Sequence, residues 1–312
     1  MRALLVVNHK ATTTSERSRD VLVRALRSEV HLDVAYTRRR GHATALARGA
    51  GAAGQGVVVV HGGDGTVNEV VNGLMEAGGS AQERPALAVV PGGSTNVFAR
   101  ALGLPCDWAE ATGVILEALR DARTRTIGLG SADGRFFTFC AGMGIDAAVV
   151  RRVEQARLRG RTSTPVLYLR AATGQLLVSA DRRHPAISLL TDDVREEQLT
   201  TVIVQNTAPW TYLWGRPVDL NPQASFDTGL GVLALRTLRA ASASRLLGQI
   251  LVRGSAPSGR QVGRWHDLSA LTLESPRPVP FQVDGDYLGE RREVQLAAHP
   301  AAVRVLGASP LA

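Results

Sequence analysis

Aspartates and hydroxyls set beside glycines carry most of the chemistry available to this sequence. The first group is His61-Gly62-Gly63-Asp64-Gly65-Thr66-Val67-Asn68-Glu69. It follows the apolar run Val57 to Val60 and opens an amphipathic segment, Val67, Val70, Val71, Leu74 and Met75, at helical spacing. A strand, a glycine turn and a helix start make a phosphate cradle. Glycines admit an anion close to the backbone because they lack Cβ. The N–H groups at the helix start then face the negative charge. Asp64 is the carboxylate inside this turn, and phosphates would repel it unless a cation stood between them. A magnesium-nucleotide site is the natural expectation. The plainer alternative is a tight turn into a helix, with Thr66 and Glu69 as a capping box.

A second group repeats the pattern. Leu87 to Val90 reads as a buried strand. It runs into Pro91-Gly92-Gly93-Ser94-Thr95-Asn96 and then the short apolar helix Val97 to Leu102, stopped by Gly103 and Pro105. Taken alone, Ser94, Thr95 and Asn96 are ordinary cap residues. Two such turns from one parallel sheet would emerge together at the carboxyl ends of their strands, where ligands bind in open α/β sheets. The expectation is that they face each other across a gap and hold a triphosphate by main-chain amides.

The elements that must position these turns alternate over the first 126 residues. Strands are expected at Ala3 to Asn8, Val30 to Tyr36, Val57 to Val60 and Leu87 to Val90. Helices are expected at Ser15 to Ser28, His42 to Ala53 and Trp108 to Leu119. This is a doubly wound α/β pattern. Residues 127–312 read differently, as a β-rich sandwich. Short apolar segments at 186–190, 199–206, 230–235, 271–273, 279–283, 294–296 and 303–306 are separated by turn residues. Helices are expected at Ile145 to Arg159, Val166 to Ser179 and Ser242 to Val252, and a mobile loop at Arg253 to Arg264. The boundary falls near Thr126, and the C-terminal tail is free to pack back on the first domain. Gly142-Met143-Gly144-Ile145-Asp146-Ala147 fits G-x-G-x-x-A after an expected strand, Phe136 to Cys140. No acidic residue stands about 20 positions on, as a dinucleotide fold requires, so a close-packed turn is the better reading.

Bulk properties narrow the class. The chain has 312 residues, 45% hydrophobic and 21% charged, as in soluble globular proteins. No apolar run approaches the roughly 20 residues of a membrane span, and the first residues look like a strand rather than a signal peptide. The expected location is cytoplasmic. Cys106 and Cys140 lack metal-ligand spacing and read as free thiols. Net charge is +8, with arginines dense at 38–40 and 151–161. Aromatic residues are only 4% and do not interleave with the basic ones. That argues against nucleic acid and leaves anionic lipid headgroups as the expected basic-surface partner. A homodimer is compatible with the sequence.

The two glycine turns, in this order, with Val283-Asp284-Gly285-Asp286 in the β-rich half, resemble the diacylglycerol kinase catalytic family. That family includes bacterial soluble lipid kinases, is related to sphingosine kinases, and has the NAD kinase-like fold in its first domain. Further matches are Val7 to Lys10, Thr37 with Gly41 to Ala43, the Gly142 to Ala147 turn, and Pro222 to Leu230. The resemblance implies an α/β nucleotide domain, a β-sandwich domain and an active site between them. It implies ATP bound by Asn8, Lys10, Thr37, Gly62, Gly63, Asp64, Gly65, Thr66, Asn68, Glu69, Gly93, Ser94 and Thr95. Magnesium would be held by Asp64, through water, and by Asp284.

The resemblance also places the base that deprotonates the lipid hydroxyl at Asp286, where the family has glutamate. Asp284 would orient the metal or the hydroxyl, and the catalytic set is then Asp286, Asp284 and Asp64. Without the family, Asp284-Gly285 reads as a hairpin turn. Val97 and Gly128 replace acidic residues of several family members. Thr228 replaces an aspartate of a structural metal site, so no metal is expected there. The implied activity is transfer of the γ-phosphate of Mg-ATP to diacylglycerol or a related lipid, by an enzyme peripheral to the inner membrane face. Trp210, Tyr212, Leu213 and Trp214 could line the lipid site, touch the bilayer or pack in the core. The alternatives are a nucleotide- or lipid-binding homologue without full catalysis, a kinase for a sphingoid base or NAD, and, on the Gly142 turn alone, an NAD-linked oxidoreductase.

Overall fold

Runs of β-branched residues build the first half of the chain. In the computed structural model, which describes residues 1–8, 16–159, 186–236, 245–246, 248–249 and 256–308, strands β1 (Arg2–Val7), β2 (His31–Tyr36), β3 (Val57–Gly62) and β4 (Ala86–Pro91) are all parallel, in the order β2-β1-β3-β4. Every residue of β3 and β4 is buried. That is why they read as unbroken apolar runs instead of alternating ones. Helices α1 (Glu16–Arg27), α2 (His42–Ala50), α3 (Asp64–Glu76), α4 (Val97–Ala101) and α5 (Trp108–Arg120) connect or follow the strands.

Side-chain alternation sorts these helices onto the sheet. Val57 and Val59 share a core with Leu22 and Leu26 of α1 and Ile115 and Ala118 of α5. Val58 and Val60 therefore point to the opposite face, where α2 and α3 pack together and onto β1 and β3. Each buried valine contributes roughly 1.5–3 kcal/mol. Gly73 sets the α2–α3 distance: a Cβ there would overlap the Thr44 carbonyl oxygen and lie 2.9 Å from Ala47 Cβ.

The chain divides into two compact units, Met1–Leu129 with Pro300–Ala312, and Gly130–His299. The second contains β6 (Arg135–Phe137), β7 (Cys140–Gly144), α6 (Ile145–Leu158), β8 (Ile187–Leu190), β9 (Arg195–Gln205), β10 (Thr211–Leu213), β11 (Arg216–Val218), β12 (Leu230–Arg236), β13 (Val262–Leu268) and β14 (Ala270–Val283). Two strands have residues in both units, β5 (Thr124–Ala132) and β15 (Asp286–Leu306). The end of β15 joins the first sheet through Val305, opposite Leu87 of β4.

In the second unit the strands run β13-β12-β9-β7-β14-β15 around one apolar core. β7 and β8 lie end to end in one slot. β9 pairs with β8 through Leu199 and with β7 from Thr201 onward, and β14 pairs with β8 at Thr272 to Glu274 and with β7 at Phe281 to Val283.

Several expectations change. The segments at 271–273 and 279–283 are one strand, β14, with a register shift at Pro-rich residues 274–280. Those at 294–296 and 303–306 are likewise one strand, β15. Val262 to Arg264, expected in a loop, begin β13. The glycines of the Gly142 motif are not in a turn. β6 ends at Phe137, and both Gly142 and Gly144 lie inside β7. The expected helix at Val166 to Ser179, most of that at Ser242 to Val252, and residues 253–255 of the expected loop lie outside the described residues.

Candidate active site

Four strand ends converge at the carboxyl edge of the first sheet. Val7 pairs with Tyr36 and His61, His61 with Val90, and Gly62 with Pro91. Asn8, Thr37, the Gly62–Thr66 turn and the Gly92–Thr95 turn therefore leave the sheet together, as the rule for open α/β sheets requires. The Thr37 amide donates to Val7 O at 2.9 Å and the Asn8 amide to His61 O at 3.0 Å. Lys10 lies outside the described residues.

The two glycine turns abut, with no gap between them. The Gly92 amide donates to Gly62 O at 2.9 Å. A Cβ on Gly93 would lie 2.8 Å from Gly63 Cα, and one on Gly92 would lie 3.0 Å from Gly62 Cα. Glycine here serves backbone-to-backbone contact, so no side chain larger than hydrogen fits the seam. This replaces the expectation of loops facing across an opening: any phosphate would lie on their shared surface.

α3 carries the carboxylates that tie this edge together. Asp64, in its first turn, accepts from Val97 N and Phe98 N, each at 3.1 Å. Both its oxygens thus cap α4, whose N-cap residue Asn96 has a left-handed backbone and no capping bond of its own. Glu69 accepts from Gly41 N at 2.8 Å and Ala43 N at 3.1 Å, at the start of α2. Each carboxylate sits on a helix N-terminus, where amide donors and dipole both favour it.

The capping box expected between Thr66 and Glu69 is absent. The N-cap is Gly63, and Thr66 Oγ1 instead accepts from Asn8 Nδ2 at 2.9 Å. Asn68 is 1% exposed and accepts from Asn72 Nδ2 at 3.2 Å.

The amides and hydroxyls on this edge suit an anion better than the carboxylates suit a metal. The N-terminus of α3 at Gly63 has no side-chain cap. Ser94 is exposed and Thr95 half-buried, and neither hydroxyl makes a hydrogen bond among the described residues. His61, just behind the turn, is fully buried, and burial lowers its pKa, so it stands neutral there.

In the second unit, Asp284 and Gly285 form the turn between β14 and β15. Both have positive φ, 47° and 78°, and Val283 pairs with Asp286. This is a two-residue type I′ hairpin with the Asp-Gly pair it favours. The Asp284 carboxylate is 5% exposed. Its Oδ2 accepts from Thr138 N at 2.7 Å and Thr138 Oγ1 at 2.8 Å, and its Oδ1 from Phe139 N and Cys140 N at 3.0 Å. A carboxylate offers about four acceptor sites, and these bonds use them. Asp284 is a clamp on residues 138–140.

Asp286 differs from its neighbour. Its side chain is 28% exposed and lies 3.8 Å from the Arg135 guanidinium. Among the described residues, no group of three or more His, Cys, Asp or Glu side chains could hold a metal.

The sequence reading missed one buried network. Gln282 Nε2 donates to Asp146 Oδ2 at 2.8 Å, while Gln282 Oε1 accepts from Gly285 N at 2.9 Å. Desolvation raises the Asp146 carboxyl to a pKa of about 6. The only trace of this in the sequence is Gly142, where a Cβ would overlap Asp146 Oδ2. Cys140, beside it, is a buried free thiol, and Cys106 is an exposed one. The aromatic segment divides: Trp210 and Leu213 pack against Ile203, Val218, Leu220 and Leu233, while Trp214 is 57% exposed beyond the end of β10.

Residues 2–132 match the model of the diacylglycerol kinase catalytic domain. A Chromohalobacter salexigens protein named "Probable lipid kinase YegS-like" is 29% identical, over 90% of this chain and 86% of its own length. The diacylglycerol kinase of Bacillus subtilis is 40% identical, over 33% of this chain and 32% of its own. A crystal structure of a diacylglycerol kinase from Bacillus anthracis shares the fold, with a TM-score of 0.72 at 21% identity, covering 99% of this chain and 97% of that one. The chain is an enzyme of the lipid kinase class. Over residues 2–132 it is similar to the diacylglycerol kinase catalytic domain.

Proposed function

We propose that this enzyme transfers the γ-phosphate of Mg-ATP to the hydroxyl of diacylglycerol or a related lipid. The observation that carries this reading is the glycine seam at the carboxyl edge of the parallel sheet, inside the matched domain, with the hydroxyls of Ser94 and Thr95 beside it. The uncapped α3 amides and these hydroxyls bind and orient the phosphates, and Asn8 and Thr37 border them. Such donors hold charge without reorganising during the reaction. Asp64 fixes the α4 turn against the α3 turn. Asp64 would hold magnesium through water, and the ion would neutralise phosphate charge.

In the transfer, the lipid hydroxyl oxygen bonds to the γ-phosphorus as the bond from that phosphorus to the bridging oxygen breaks and ADP leaves. The hydroxyl proton passes to the Asp286 carboxylate. The net charge of +8 and the exposed Trp214 favour peripheral docking on an anionic membrane face.

Radiolabelled γ-phosphate transfer to a panel of dispersed lipids tests the reading. Diacylglycerol or a close relative should be labelled by the wild type and not by Asp64→Ala. Equal labelling by both proteins would remove the assigned nucleotide site. A second reading, a binding homologue with little turnover, is favoured by the short Asp286 side chain. It wins if the wild type is nearly silent and Asp286→Glu gains orders of magnitude.

A further inference from the structure

The hairpin that carries Asp286 is held from behind by a side chain that the reaction does not otherwise use. Gln282 bridges two groups. Its Oε1 accepts from the Gly285 amide at 2.9 Å, at the hairpin tip, and its Nε2 donates to Asp146 Oδ2 at 2.8 Å, in the first turn of α6. Gly142 leaves the space: a Cβ there would overlap Asp146 Oδ2 and lie 2.8 Å from Gln282 Nε2. The Asp146 main chain is anchored separately, with its amide 3.4 Å from Thr201 Oγ1. We propose that Asp146 and Gln282 are positioning residues for the transfer, a relay that fixes the Asp284–Gly285 turn and with it the aim of Asp286. This rests on the kinase reading above.

The relay has a direction imposed by chemistry. The Gly285 N–H can only donate, so it requires the oxygen of the Gln282 amide. An ionised carboxylate can only accept, so it requires the nitrogen. With Asp146 ionised, one amide orientation satisfies both ends. A protonated Asp146 can donate as well as accept, so the bond from Nε2 loses its charge and only the Gly285 N–H still selects the amide orientation. Reversed, it would set its NH2 against the Gly285 N–H, donor against donor.

The surroundings make this change accessible near neutrality. α6 packs against β7, β9 and β14. Toward Asp146, β7 presents Cys140, β9 presents Thr201, and β14 presents Gln282 with Asp284 beyond it. Among the described residues Asp146 has no ion pair, and loss of hydration raises its pKa to about 6. The Cys140 thiol is pushed up by burial and then by Asp146 and Asp284, so it stays protonated.

Amide spectra of the deuterated full-length protein, recorded from pH 5 to 8, test the relay without reference to turnover. The Gly285 N–H resonance should titrate with a midpoint near 6 in the wild type and stay flat in Asp146→Asn. In Gln282→Leu it should shift away and stop titrating. A Gly285 resonance flat in the wild type, or still titrating near 6 in Asp146→Asn, would overturn the proposal. Well-dispersed spectra report whether each variant is folded.

Turnover on lipid adds a second arm. The acid limb should appear in kcat more than in KM for ATP, levelling off at about a fivefold loss well below pH 6. Asp146→Asn should lose that limb and roughly fivefold in kcat at pH 7.5. The double variant Asp146→Asn/Gln282→Leu should be no slower than Gln282→Leu. Independent, multiplying losses count against the relay. Absence of any lipid phosphorylation by the wild type counts instead against the kinase reading, which the amide titration leaves untouched.

Discussion

Asp64 and Asp284 both sit beside a glycine at a turn, and the structure uses both to hold backbone. Asp64 takes two amides at the start of α4. Asp284 takes three amides and a hydroxyl at residues 138–140. The regions differ in what stands next to the aspartate. In the first unit it is bare glycine backbone with the hydroxyls of Ser94 and Thr95, a surface suited to an anion. In the second it is a second carboxylate, Asp286, partly exposed beside Arg135. On the kinase reading proposed above, the lesson is that a buried aspartate can build a site by holding backbone, while its neighbours Ser94, Thr95 and Asp286 meet what binds there.

The sharpest way to break this comparison is to remove the two hairpin aspartates separately. Asp286→Ala should lower kcat by about 10²–10⁴ and leave stability within about 0.5 kcal/mol, since its side chain and that of Arg135 are partly exposed. Asp284→Ala should cost roughly 3 kcal/mol or more, because four hydrogen-bond donors lose a charged acceptor. Denaturant unfolding and lipid phosphorylation, measured on both variants, separate the roles. Equal destabilisation would erase the distinction.

A smaller effect concerns Asp146 and has a definite sign. Its carboxyl rises from 3.8 to about 6 on folding, so the folded state favours the protonated form. The cost of ionising it is absent below about pH 4, grows as pH rises through 6, and is complete above. At 1.36 kcal/mol per unit, that cost is at most about 3 kcal/mol. Asp146→Asn should therefore be more stable than the wild type at pH 8, with the gain vanishing near pH 4. Unfolding curves at the two pH values check this. A variant less stable at pH 8 would show that the ionised carboxylate supports the fold.

The sequence made the first unit far more legible than the second. Unbroken valine runs before glycine turns can hardly be read except as buried parallel strands feeding one edge, and β3 and β4 are such strands. The glycine pattern placed both turns at one sheet edge. It did not reveal that Gly62, Gly63, Gly92 and Gly93 serve each other, because contact between two turns leaves no local signal. Thr66 and Glu69 showed helix-capping spacing, but their partners are Asn8, Gly41 and Ala43, fixed by tertiary packing.

In the second unit, Pro276, Pro278 and Pro280 look like breaks, whereas β14 passes them with shifted register. β13, with its polar residues Arg264, His266 and Asp267, resembles a loop because only part of it is buried. The Asp146–Gln282 pair, 136 positions apart, lies beyond any spacing rule.

The central claim is that the joined glycine turns hold nucleotide phosphate by main-chain amides. An amide shift map of the full-length protein, titrated with magnesium and a non-hydrolysable ATP analogue, tests it most directly. The largest shifts are expected at residues 63–66 and 93–95. A saturating titration that leaves those amides unmoved while shifting others would contradict it.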